Sequence, residues 1–158
     1  MFSLPLILAH VLITLVAIGS GFWLVRQMLR GGQSPTVAAV FLAFTALTSI
    51  TGFVFFPPPS FPPPQPTPAQ LTGVVGLLVL IPTLVGLYGA KLAGRWRAVY
   101  VVGAMVSLYL NVFVLVVQAF LKVQPQPITA GPIFGLVQGV VLVTFVVLGR
   151  RALKRFQR

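Results

Sequence analysis

The sequence predicts an all-α fold: an integral membrane helical bundle of five transmembrane helices, N-terminus outside and C-terminus cytoplasmic. Three observations carry that prediction. Of 158 residues, 58% are hydrophobic and only 7% charged, where soluble domains carry about a quarter charged. Five stretches stay mostly apolar over the roughly 20 residues that cross a hydrocarbon core. The eleven basic residues, unaccompanied by any Asp or Glu, cluster in alternate connections.

The first span, about 2–25, is too long for the apolar run of a signal peptide. No positive charge precedes it, and Arg26 and Arg30 follow it, the flanks of a retained span. The second, 36–56, stops where Pro57 withdraws the backbone donor. Eight prolines lie between Pro57 and Pro68, so the outer loop 57–69 favours extended polyproline II. It reads as a stiff connector rather than a PxxP ligand, because adaptor grooves for such ligands are typically cytoplasmic. The third span, 70–90, carries Pro82 at mid-membrane and is expected to bend there. The fourth is 98–121, and the fifth, 132–149, is the shortest. The whole chain forms a single transmembrane domain ending in a basic cytoplasmic tail, 150–158.

Charge fixes the expected orientation. Arg26, Arg30, Lys91, Arg95, Arg97, Arg150, Arg151, Lys154, Arg155 and Arg158 fall on one side of a five-span bundle, and only Lys122 on the other. Basic loops stay cytoplasmic. A four-span arrangement would put the five C-terminal charges opposite the rest. In the tail, the basic residues share one helical face while Leu153 and Phe156 share another. Arg150, Arg151, Lys154, Arg155 and Arg158 are therefore candidate contacts for anionic lipid headgroups.

Composition also removes whole classes of chemistry. Without Asp, Glu or Cys the chain has no carboxylate acid/base pair, no thiol nucleophile and no hard-cation site. One His and no acid cannot make a Ser-His-Asp triad. Haem held by two His ligands would require a symmetric dimer. The expectation is a non-enzyme with no catalytic residues, no metal and no cofactor. The net charge of +11 follows from topology, and no nucleic-acid partner is expected.

What remains is a polar seam. On a helical wheel of span four, Tyr100, Ala104, Ser107, Gln118 and Lys122 fall within roughly 40° of Asn111. Lipid cannot hydrogen-bond these groups, so the stripe must face protein or a wet cavity. Other spans offer matching faces: His10 and Thr14 with Ala17 and Gly21 in span one, Thr45, Thr48 and Ser49 in span two, Gly76 and Thr83 in span three. Span five opens with Gly131, Gly135 and Gly139, a GxxxGxxxG ridge with Gln138 beside it. Counted by depth, His10, Ser49, Asn111 and Gln138 lie near the midplane or slightly outward, with Gln118 further out and Lys122 at the rim. Two readings stay open for the seam comprising His10, Thr48, Ser49, Ser107, Asn111, Gln118, Lys122 and Gln138. It is a hydrogen-bonded packing network, or a site for a small neutral or anionic solute. Ala17, Gly21, Gly76, Gly131, Gly135 and Gly139 are the candidate helix-packing positions.

The segments Thr51-Gly52-Phe53, Thr67-Pro68-Ala69, Leu92-Ala93-Gly94-x-Trp96-Arg97-x-x-Tyr100-Val101 and YLNVFVLVVQ (109–118) resemble a family of small, uncharacterised bacterial inner-membrane proteins. The likeness covers most of the chain and is strongest in span four. It implies the compartment, the bacterial inner membrane, and the topology, and it brings no catalytic residues. This chain departs from the pattern by lacking an acidic residue near Ala130 and Gly131 and by its proline-rich second loop. Together these readings predict a structural or accessory membrane protein whose bundle self-associates or docks to a larger membrane complex. The alternative is a passive channel or binding protein using the seam. The expected partners are the bilayer with its anionic lipids and either a second copy or a membrane complex.

Overall fold

The computed structural model describes residues 4–55, 68–123 and 131–156. The proline-rich stretch 57–67, Ala130, Arg158 and the side chain of Lys122 lie outside the described residues. Those described form five helices and no strand: α1 (Leu4–Leu29), α2 (Pro35–Phe55), α3 (Pro68–Leu84), α4 (Arg95–Val123) and α5 (Pro132–Phe156). All five are long and apolar enough to cross a membrane.

Local chemistry sets the turns. α1 runs past Val25 because Leu24, Val25 and Met28 are all buried. It ends at Gly31, whose φ of 92° is left-handed. Gly31 N–H donates to the Met28 carbonyl (3.0 Å) and Gly32 N–H to the Gln27 carbonyl (3.2 Å), the two bonds of a Schellman cap. The Gln27 side chain accepts from Ser34 N–H at 2.8 Å, and Pro35 opens α2, where its missing donor costs nothing. α3 continues through Pro82 and widens into a π-helical turn, Val85–Gly89. The turn after it places Lys91, Leu92 and Gly94 at positive φ, and Leu92 N–H to the Gly86 carbonyl (2.9 Å) holds it. For the two residues with side chains this conformation costs about 1–2 kcal/mol each.

α4 is the hub, in contact with every other helix. α1 also packs on α2 and α5, and α2 on α3, while α3 and α5 do not meet among the described residues. Tyr100, Val101, Ala104, Met105 and Leu108 of α4 are buried against Leu24 and Met28 of α1, Phe41 of α2, and Phe145 and Phe156 of α5. The outer surface is apolar: Leu4, Leu12, Trp23, Leu78, Leu136 and Val143 are all more than half exposed. A soluble protein would hide such residues, and lipid solvates them.

Glycines set the closest approaches. A Cβ added at Gly21 would stand 2.6 Å from Leu108 Cδ1 and 2.8 Å from Phe41 Cε2. One added at Gly103 would overlap Thr83 Oγ1, and one at Gly86 would lie 2.9 Å from the Trp96 carbonyl oxygen. Gly135 and Gly139 meet nothing within 4 Å. α5 instead turns Gln138, Phe145, Ala152 and Phe156 inward, so Gly135 and Gly139 pack against no helix among the described residues. α5 also extends beyond Gly149 and carries the basic tail with it. In the tail Ala152 and Phe156 are buried and Leu153 is partly buried against the same core, with the Phe156 ring 6.1 Å from that of Tyr100.

Gly21→Val is expected to lower stability by about 1–3 kcal/mol through overpacking. Gly135→Ala should leave it unchanged within ~0.5 kcal/mol or slightly raised. Unfolding of the three proteins in one detergent checks both.

Candidate functional site

The seam residues divide among three helix pairs. Asn111 on α4 donates through Nδ2 to Thr45 Oγ1 on α2 at 3.1 Å, and both residues are buried. His10 on α1 lies 2.8 Å through Nδ1 from Thr51 Oγ1 on α2. Gln138 on α5 donates through Nε2 to the Phe113 carbonyl on α4 at 3.2 Å.

The Thr51 hydroxyl assigns the roles in the second pair. Its oxygen sits 2.7 Å from the Leu47 carbonyl, with a longer contact to that of Thr48. One hydroxyl proton cannot serve both the helix carbonyls and the imidazole. With the hydroxyl proton on a helix carbonyl, the Thr51 oxygen accepts from Nδ1 of His10 in the tautomer that protonates that nitrogen.

One bond lies apart from the other two. Thr45 and Thr51 are six residues apart on α2, about 9 Å along the axis, so the α1–α2 and α2–α4 bonds form rungs at different depths, whereas Asn111 and Phe113 are only two residues, about 3 Å, apart on α4. Ser49 is buried and faces α3, with its Oγ 3.4 Å from where a Cβ on Gly76 would stand. Ser107 is fully buried, and its Oγ has no partner, nor have Thr48 Oγ1 and Gln138 Oε1.

Gln118 departs from the expected inward stripe: its side chain is exposed. Gln118 lies about 35 Å along α4 from Arg95, three residues before the end of the apolar span Arg95–Leu121. Among the packing positions, Ala17, Gly21 and Gly76 are buried, Gly131 is half-buried, and Gly135 and Gly139 are exposed.

Arg150, Arg151, Lys154 and Arg155 are exposed. Arg155 Nη1 also donates to the Leu29 carbonyl at the end of α1, at 3.2 Å. Tyr100 OH donates to Gln33 Oε1 in the α1–α2 turn. These two contacts tie the turn, α4 and the α5 tail into one basic end of the bundle. Sequence reasoning did not single out Gln27, Gln33 or the Thr51 hydroxyl as partners. Thr51 was the one with a signal, since a hydroxyl near the end of span two lies at the depth of a His near the start of span one.

Compared with known protein families, with curated proteins and with solved structures, the chain finds no match.

A double-mutant cycle of Thr45→Val and Asn111→Leu is expected to give a coupling of about 0.6 kcal/mol, and no more than ~1.7. Ser107→Ala removes a buried hydroxyl without a partner, so it should be neutral or stabilising by up to about 1 kcal/mol. Denaturant titration in mixed micelles reads out all of these variants.

Proposed function

We propose that this chain is a non-enzymatic, multi-pass protein of the bacterial inner membrane with a structural or accessory role. Its bundle self-associates or docks to a larger membrane complex. The observation that carries this reading is the pairwise use of the seam. Asn111, His10 and Gln138 each pin a different helix pair and present no common face to a guest. A solute conduit needs polar groups that stay available to the solute, and the engagement of Asn111, His10 and Gln138 with neighbouring helices favours packing instead. The open ridge at Gly135 and Gly139 supports self-association, because a close helix approach is sterically available there and no helix among the described residues uses it.

The orientation belongs to the same proposal. Arg26, Arg30, Lys91, Arg95 and the α5 tail sit in connections that alternate with the proline-rich one, and basic connections remain cytoplasmic.

The chain has no cysteine, so single introduced thiols report topology without background. Ser60→Cys should react with an impermeant maleimide on intact cells, and exposed Gly32→Cys only after permeabilisation. The reverse pattern would invert the orientation. Liposomes containing wild type or Asn111→Leu should show equal, background flux of small anions and neutral solutes. Native mass spectrometry should find more than one copy, and Gly135→Leu with Gly139→Leu should shift it toward the monomer. A strictly monomeric wild type that co-purifies with nothing would sink the self-association and docking reading.

A further inference from the structure

Four helices surround α4 without closing a ring. Since α3 and α5 do not meet among the described residues, α4 keeps one side without a partner helix among them. On that side α3 and α4 form an open groove of about 550 Å³, lined by Leu78, Val79 and Pro82 from α3 and Val99, Val102 and Val106 from α4. Its lining side chains are all apolar, and Ala98 among them is small.

The groove has a charged mouth. Arg95, Val99, Val102 and Val106 recur at spacings of four, three and four, so Arg95 lies on the groove-facing stripe of α4. Lys91 precedes it in the tight turn, and both are exposed. The chain has no carboxylate side chain, so no Asp or Glu neutralises either cation from within. From Ala98 to Val106 the groove runs about 12 Å along α4, within the ~15 Å that one leaflet contributes to the hydrocarbon core.

A cleft that is apolar along one leaflet and cationic at its mouth fits a molecule with the same division. We propose that the α3–α4 groove seats one acyl chain of an anionic phospholipid, with its phosphate held by Lys91 and Arg95. A second copy of the chain fits this groove poorly. A twofold contact here would bring Lys91 and Arg95 of both copies together with no acid to answer them. The glycine ridge proposed for self-association lies on another helix, toward the proline-rich end, so this inference stands apart from that reading.

The test is native mass spectrometry of the full chain in detergent, titrated with phosphatidylglycerol or phosphatidylcholine of identical acyl chains. The wild type should retain one phosphatidylglycerol in preference to phosphatidylcholine. Each cation should contribute about fivefold in affinity, so Lys91→Gln with Arg95→Gln should erase a preference of roughly twenty-five-fold. Val102→Trp fills the groove and should abolish tight binding of both lipids. Leu136→Trp, on an exposed face of α5, should change nothing. Equal affinity of the wild type for both lipids would overturn the proposal, as would undiminished binding by Val102→Trp. If Val102→Trp instead dissolves a dimer while lipid adducts persist, the occupant is a second copy and the lipid assignment falls. The charge variant alters only exposed side chains, so it decides the outcome should Val102→Trp fail to fold.

Discussion

Hydrocarbon offers no hydrogen bonds, and that constraint sorts most polar side chains of this bundle into two groups. Several short hydroxyls satisfy themselves on their own helix, whereas Thr48 Oγ1 and Ser107 Oγ are buried without a partner. Thr14 donates to the His10 carbonyl, Ser20 to Val16, Thr83 to Val79 and Thr144 to Val140, at 2.6–2.9 Å. Such residues can sit on any face, and Thr144 is exposed. The seam's longer groups, the Asn111 and Gln138 amides and the His10 imidazole, instead find their partners on a neighbouring helix. Three residues therefore specify three helix pairs, α2–α4, α4–α5 and α1–α2. The hydroxyls are tolerated, and the amides and the imidazole decide neighbours.

Specification differs from cohesion. An interhelical hydrogen bond in a membrane contributes about 0.6 kcal/mol on average, and lipid supplies no hydrophobic drive between helices. Cohesion has to come from close packing, and it concentrates on α4. Gly21 admits Leu108 and Phe41, Gly103 admits the Thr83 hydroxyl, and Gly86 admits the backbone at Trp96. The last contact depends on the π-helical turn after Pro82, which brings the end of the α3 segment against the start of α4. The two left-handed residues that follow, Lys91 and Leu92, belong to the turn that makes this approach possible.

The sequence made the helices legible because membrane thickness fixes their length, and each expected span coincides with one helix. The α4 stripe was legible too, since one wheel places Asn111, Ser107 and Tyr100 together and all three are buried. Their partners were not. Choosing Thr45 for Asn111 requires the relative depth and rotation of two helices, and a wheel of one helix carries neither. Gln118 shows a related failure: periodicity gives an azimuth, but it does not say how far along α4 the neighbouring helices reach, and this residue is exposed. The ridge of Gly131, Gly135 and Gly139 marks where a close approach is possible, whereas the buried face of α5 is set by Phe145, Ala152 and Phe156. Ala152 was easy to overlook because a small residue among five basic ones gives little hydrophobic signal.

The missing carboxylates shape the basic end as strongly as missing water shapes the middle. A cation that cannot pair with Asp or Glu can use a neutral acceptor instead. Arg155 uses the Leu29 carbonyl, at the C-terminus of α1, where the helix dipole presents partial negative charge worth about 0.3–1 kcal/mol. Arg26 lies 5.5 Å over the Trp23 ring, a cation–π contact. Both contacts hold a guanidinium without cancelling its charge, so the positive field is placed rather than neutralised. With a net charge of +11, most of it at one end, the counter-charge has to come from outside the chain. In a bilayer the nearest dense supply is the row of lipid phosphates at that surface. Arg155 and Arg26 thus join helices or brace their own helix while keeping their charge, so the positive field of the basic end is set by how the helices are joined there.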